Sequence, residues 1–198
     1  IVNNVSEGLR FRIFNNRDVE FLDYRSYNGR NTYCRSLCFL FCKAVHDIFP
    51  NGKAVLRRPI SKGYFCSVDS GDGTEVTHQE IKAISDRMRE IVTMDLPFRR
   101  FEARTDDVIR MFRKLGCDDK VKLLETCEDL YTTYYTLGDT PDFYYDALVP
   151  SSAYLKVWDL IPYHGGMLLR VPDRHHPEQL APLFDQPKTF EVFSEIQR

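Results

Sequence analysis

The stretch NTYCRSLCFLFCKAVHDIF, from Asn31 to Phe49, decides the reading of the fold. Apolar residues recur through every turn and charges interrupt only at Arg35, Lys43 and Asp47, the pattern of a helix packed on most of its circumference. Pro50, Asn51 and Gly52 stop it. Downstream, Ala54 to Ile60 and Gly63 to Asp69 are strand-like, joined by Ser61-Lys62 and followed by the loop Ser70-Gly71-Asp72-Gly73, which together read as a hairpin. Thr77-His78-Gln79-Glu80 is a capping box ahead of Ile81, Ile84, Met88, Ile91 and Val92 at helical spacing. A second amphipathic helix, ended by Pro97, is therefore expected across a sheet. Phe98 to Arg104 reads as a strand, Thr105 as the cap of a third helix stopping at Gly116, and Asp118 to Glu125 as further helical turns.

Leu130 to Leu137 is almost entirely β-branched or aromatic, a strand closed by the turn Gly138 to Pro141. Asp142 to Ser152 reads as a loop, and Tyr154 to Leu160 and Met167 to Val171 as two more strands. The tail from Pro172, with Pro177, Pro182 and Pro187, reads as helical pieces. Ahead of the first helix, Leu9 to Phe14 and Val19 to Leu22 alternate with period two around Asn15-Asn16, and Asn28-Gly29 marks a boundary. Strands separated by helices in this irregular order imply an α+β domain with a mostly antiparallel sheet.

Composition bounds the function. At 198 residues the chain is one domain, or one with a fragment of a second, and 14 Phe with 11 Tyr supply a core without covalent staples. A formal charge of −2 removes the broad positive field of a dedicated nucleic-acid binder, so any basic patch is local. No apolar run approaches the roughly 18 residues of a membrane span, and no leader opens the chain, so no membrane partner is expected. Ile1 in place of Met suggests a processed product or a piece of a longer polypeptide. Six cysteines, three of them at helical spacing, point to reduced thiols and a cytoplasmic setting. Cys34, Cys38, Cys42 and His46 recur every four residues, but each step climbs about 6 Å of helix, so the four cannot share one zinc; small buried hydrophobes are the simpler reading.

Several chemistries lack their residues. The single Gly-Lys, Gly52-Lys53, has no glycine five positions earlier and is followed by Ala54, so no phosphate-cradling loop is present. Gly71-x-Gly73 lies in the hairpin loop, without the α/β setting of a dinucleotide fingerprint. No G-x-S-x-G or H-E-x-x-H occurs. His164 could cap an element or line a pocket, and the adjacent His175-His176 point apart and make a poor metal clamp. What remains is an aromatic set, Tyr64, Phe65, Tyr131, Tyr134, Tyr135, Tyr144 and Tyr145, with Arg57, Arg58 and Lys62 in the hairpin. Ordinary sheet packing accounts for such residues, and so does a nucleotide or RNA-end cleft built from flat faces and cations.

The order of these segments resembles a known domain. Ser36 to Pro50, Pro59 to Phe65, Asp86-Arg87-Met88 through Leu96-Pro97-Phe98, Gly138-Asp139, and Val149-Pro150-Ser151-Ser152 are similar to successive motifs of the editing domain of threonyl- and alanyl-tRNA synthetases. The opening segment, with Val2-Asn3-Asn4 and Asp18 to Leu22, resembles the closing strands of the small β-grasp (TGS) module that precedes it. That family's site takes two His from the first helix and a Cys-His pair from the later loop. In register, those positions fall on Arg35, Phe39, Tyr144 and Leu148, none of which binds metal or shuttles a proton at neutral pH. The resemblance therefore implies a degenerate site with no catalytic residue and no metal. Arg35, pointing into the former cleft beside Tyr144, could receive a phosphate or carboxylate. The candidate ligand-binding set is Arg35, Arg57, Lys62, Tyr64, Tyr134 and Tyr144.

Tyr33 to Phe39, Lys122 to Thr126, Leu130 to Tyr135 and Leu169 to Pro172 look closer still to the front half of bacterial uridine-kinase-like nucleoside kinases. That resemblance implies strands of a TGS-like module over 1–25, an editing-like domain over 26–172, and a tail, 173–198, leading toward a P-loop kinase domain. ATP and Mg would belong only to that further domain, which would also be the partner. The function so implied is a non-catalytic accessory module binding a small anionic ligand, nucleotide or RNA end. The alternatives are a hydrolase of mischarged tRNA and a protein-docking module without ligand chemistry.

Overall fold

In the computed structural model, which describes residues 1–71 and 73–184, the long apolar helix α1 (Tyr27–Ile48) runs through the middle of the domain. Ten of its residues from Cys34 to Val45 are buried. It begins four residues before the expected start, because Ser26 caps it by accepting from the Gly29 amide. Gly29 therefore does not punctuate a boundary: a Cβ there would lie 1.9 Å from the Asp23 carbonyl oxygen, so glycine admits the close approach of the chain entering the helix.

Two antiparallel sheets flank α1. The first has the order β1-β2-β7-β6, from β1 (Lys53–Ile60), β2 (Gly63–Asp69), β6 (Asp159–Tyr163) and β7 (Gly166–Arg170). The second has the order β3-β4-β5, from β3 (Phe98–Arg104), β4 (Tyr131–Leu137) and β5 (Thr140–Asp142). Helix α2 (His78–Thr93) packs on α1 and β6, opened by the expected capping box: Thr77 Oγ1 accepts from the Glu80 amide at 3.3 Å and Glu80 Oε2 accepts from the Thr77 amide at 2.8 Å. Helices α3 (Thr105–Lys114) and α4 (Asp118–Glu125) cover the far face of the second sheet around a small separate core of Val108, Phe112, Val121 and Leu124. The α+β class with antiparallel sheets and packed helices is as the sequence implied.

Several local expectations are corrected. Leu9 to Phe14 and Val19 to Leu22 form no ladder; isolated bridges join Val2 to Val5 and Val2 to Val19. Alternation is present, but no partner strand lies beside it among the described residues. Thr105 does not cap α3: its hydroxyl donates to the Asp129 carbonyl and meets Thr132 at 2.8 Å, so its role is to tie α3 to the second sheet. Residues 152–154 form one 3₁₀ turn rather than the start of a strand, and β6 begins at Asp159. The tail to residue 184 holds no helix; Pro172 bridges to Leu180. Its continuation through Pro187 to Arg198 lies outside the described residues, as do Asp72 and the side chain of Arg58.

The β1–β2 turn has an unusual chemistry. Ser61 and Lys62 both adopt left-handed backbone (φ 48° and 57°), the two-residue turn that matches strand twist but is normally filled by Asn-Gly. The tail secures it. Ser61 Oγ donates to the Phe184 carbonyl, Lys62 Nζ lies 5.0 Å over the Phe184 ring, and the Ala181 amide donates to Val171 O at 3.0 Å.

Candidate functional site

Arg35, Phe39, Tyr144 and Leu148, the four positions expected to replace the site residues of the resembled domain, lie where α1 meets the loop 143–150. Helical spacing sets Arg35 and Phe39 one above the other on the same face of α1. The Phe39 ring, fully buried, lies 5.6 Å from Tyr144 and 5.6 Å from Phe98. Leu148 is in the same core. One turn away, Arg35 is held by the loop: Nη1 pairs with Asp146 Oδ2 at 3.0 Å, and Nη2 donates to Ala147 O at 3.2 Å and to Thr32 Oγ1 at 3.4 Å. Its Nε is buried and has no hydrogen-bond partner among the described residues. Ser36, fully buried, accepts from the Val149 amide at 2.9 Å while donating to Thr32 O at 2.7 Å, which fixes the loop on the helix.

The motif Val149-Pro150-Ser151-Ser152 then works as a buckle. The Phe98 amide donates to Pro150 O, the Ser152 amide to Leu96 O, and the Leu96 amide to Ser152 Oγ at 2.8 Å. Ser152 Oγ itself donates to Ile91 O at 2.6 Å, so one hydroxyl joins the end of α2 to the start of β3.

Burial, followed by Asp142, pushes the Tyr144 phenol well above its ordinary value, so it stays protonated. Asp142 pairs with Lys120 at 2.5 Å. Burial presses the Lys120 ammonium down, but Asp142 more than offsets it and its pKa ends up raised. The four side chains at these positions, phenyl, isobutyl, protonated phenol and guanidinium, themselves offer no base to activate water.

The other named candidates lie elsewhere. Tyr64 on β2 faces the opposite side of α1, beside Cys34, and its phenol is likewise raised, by burial first and then by that thiol. Tyr134 lies on the α3–α4 face of the second sheet, stacked on Phe101 at 5.5 Å, whereas its neighbour Tyr135 faces α1. Arg57 is exposed on β1, and Lys62 is at the hairpin tip over Phe184. Of the six, only Arg35 and Tyr144 share a corner. Period-two geometry explains the scatter: a run of strand tyrosines divides between two faces and makes two surfaces rather than one cleft. Cys34, Cys38 and Cys42 line α1 toward Cys66, with burial pushing every thiol up, Cys42 to about 12. His164 is an exposed turn residue with φ 42°, and Asp173 Oδ1 accepts from the amides of both His175 and His176.

Sequence reasoning missed a cavity of about 630 Å³ beside the filled corner, within the usual range for small-ligand sites. Arg10, Phe11, Arg99, Arg100, Tyr135 and Tyr145 line it, together with Asp146 and Ala147, the two groups that hold Arg35. Arg99-Arg100 between Phe98 and Phe101 was the available signal, readable as a basic edge strand.

No protein-family model matches the chain. Among curated proteins it is 28% identical over 162 residues to a threonine–tRNA ligase of Carboxydothermus hydrogenoformans, covering 81% of this chain and 24% of the ligase. It is 26% identical over 165 residues to that of Desulforamulus reducens, covering 83% and 26%. It is 25% identical over 141 residues to that of Azobacteroides pseudotrichonymphae, covering 71% and 22%. The chain is similar to a segment of threonine–tRNA ligases. It spans about a quarter of the length of these relatives. The likeness to threonine–tRNA ligases overturns the expected relation to uridine-kinase-like proteins.

Proposed function

We propose that this chain is a synthetase-editing-like domain that has lost hydrolysis and acts as an accessory module, holding a nucleotide or an RNA end in the cavity beside β3. One observation carries the reading: the corner aligned with the editing site is filled by Arg35, Phe39, Tyr144 and Leu148, packed or paired with no water-activating group among them. The cavity supports binding, because Arg10, Arg99 and Arg100 supply cations next to the stacking faces of Phe11 and Tyr145. The reading needs no metal or other cofactor. Its setting inside a longer synthetase-related protein rests on the ligase relatives.

The test has two arms. Incubated with an aminoacyl-tRNA, the chain should release amino acid no faster than buffer does; turnover that disappears on changing Arg35 or Tyr144 would restore the hydrolase reading. In the second arm, the double change Arg99→Ala and Arg100→Ala should weaken nucleotide or short-RNA binding at least about tenfold and flatten its salt dependence. Unchanged affinity would remove the cavity from the proposal. A docking role is the second reading, favoured by the exposure of Phe14 and Phe21, at 84% and 83%, on the opening segment.

A further inference from the structure

The second sheet ends on an uncovered strand. β3 is its edge, and the four consecutive residues from Arg99 to Glu102 are exposed. Two hydrogen bonds fix which way the backbone of β3 faces. The Thr105 amide donates to Leu130 O in the register that pairs β3 with β4, so Ala103 and Phe101, two and four residues earlier, turn their amides and carbonyls toward β4. The Phe98 amide points the other way, to Pro150 O, so Arg100 and Glu102 present theirs to the outside. Beyond Phe98 that edge makes no backbone hydrogen bond among the described residues; Ser6 to Phe11, which wall the cavity beside Phe98 to Phe101, do not pair with it. The side chains are also unspent. Among the described residues Arg99, Arg100, Glu102 and Arg104 form no ion pair, and Arg100 reaches the Thr133 hydroxyl at 3.4 Å.

Charges on an edge strand ordinarily turn an incoming strand away. Here they select one register instead. A second copy of β3 running antiparallel must set outward-facing residues opposite one another, so the pairing is centred on Arg100, Phe101 or Glu102. Centred on Arg100, it opposes Arg100 to itself; centred on Glu102, it opposes Glu102 to itself and Arg100 to Arg104. Like charges directly opposite destabilise both. Centred on Phe101, the same strands set Arg100 against Glu102 on either side of the axis and Arg99 against Ala103. Phe101, 41% exposed, then meets its own copy in the position without backbone bonds, where cross-strand side chains come closest. We propose that two copies of this chain associate through β3 in the register centred on Phe101, joining their second sheets into one. Backbone bonds and ion pairs between Arg100 and Glu102 hold the pair. A single pair of strands buries less than the roughly 1,200 Å² of a stable complex, so the association is weak and depends on concentration. The inference goes beyond the accessory-module reading and does not rest on it.

The experiment is sedimentation equilibrium of the 198-residue chain up to about 1 mM, which should show monomer and dimer in exchange. Arg100→Glu opposes two carboxylates and Glu102→Arg two guanidiniums, so each should weaken the dimer about tenfold, and the double variant, which restores opposite charges, should recover it. Glu102 lies outside the cavity lining, so its reversal tests the pairing apart from ligand binding. Hydrogen exchange on the unmodified chain gives a second readout. Raising the protein concentration should protect the amides of Arg100 and Glu102 and leave those of Phe101 and Ala103, already bonded to β4, unchanged. Thermal melts check that the variants fold; if a reversal unfolds the chain, the exchange measurement decides alone. A chain that stays monomeric, a dimer indifferent to both reversals, a folded double variant that does not recover, or Arg100 and Glu102 amides that ignore concentration would each overturn the proposal.

Discussion

At the scale of single residues, the chain turns charge inward and keeps it paired. Lys43, on the buried face of α1, meets Asp47 at 2.6 Å and Asp139 at 2.5 Å, and Asp47 in turn accepts from Arg87 Nε at 2.8 Å. The hydrogen bond from Lys43 holds the Asp139 carboxyl below its ordinary value. A carboxyl depressed in the folded chain stabilises it above about pH 4, and that contribution disappears as the solution is acidified through the lowered value. Asp139 is 79% exposed, so the effect is screened and amounts to well under about 1 kcal/mol. Asp139→Asn should therefore lower the melting temperature slightly at pH 7 and by progressively less as the pH falls through the lowered value; a loss that does not change with pH would assign the effect to the turn instead. Arg35 follows the same logic with a less complete set of partners, and that difference separates a structural ion pair from a candidate binding group.

At the scale of elements, most of the secondary structure was legible and the site was not. The capping box at Thr77, the tight stop at Gly116 and the aromatic run of β4 are local signals, and each element formed where its chemistry placed it. The opening alternation was also local, yet produced no strand, because a strand exists only through a partner and none is within reach in the described residues. The Arg35 corner depends on contacts about a hundred residues apart in sequence, so periodicity has no access to it; only the resemblance-based register brought Arg35, Phe39, Tyr144 and Leu148 into view. The 630 Å³ cavity was out of reach for a further reason: it needs Ser6 to Phe11 laid against β3 and the loop 145–150, and no motif encodes that crossing. The Ser152 buckle is where an element-scale test bites. Ser152→Ala strands the Leu96 amide and frees the Ile91 carbonyl in a fully buried position, a loss of about 1–3 kcal/mol that chemical denaturation would measure. A loss under about 0.5 kcal/mol would mean that the chain closes there without it.

Across the whole molecule, two cores of unequal size share one frame. The larger surrounds α1 between the two sheets and α2, and the smaller lies under α3 and α4, with four fully or nearly fully buried apolar residues at its centre. Lys120 and Asp142 clip the smaller unit to β5 by an ion pair of which Asp142 is only 8% exposed. Few buried contacts imply a low local opening energy. Hydrogen exchange should thus release the amides of α3 and α4 well before those of α1 between Leu37 and Val45; simultaneous release would show a single cooperative unit. The filled corner lies on the α1 side of the second sheet, in the larger core, so an opening of α3–α4 leaves it formed.

The clasp of Phe184 on the Ser61-Lys62 turn anchors the last described residues to the first sheet. A pull at residue 184 arrives first at the tip of a hairpin and then at Ala181, whose amide donates to Val171 O and whose carbonyl accepts from Arg170 of β7. Load at that point is therefore divided between a tight turn and the end of a strand, two anchors on the same sheet.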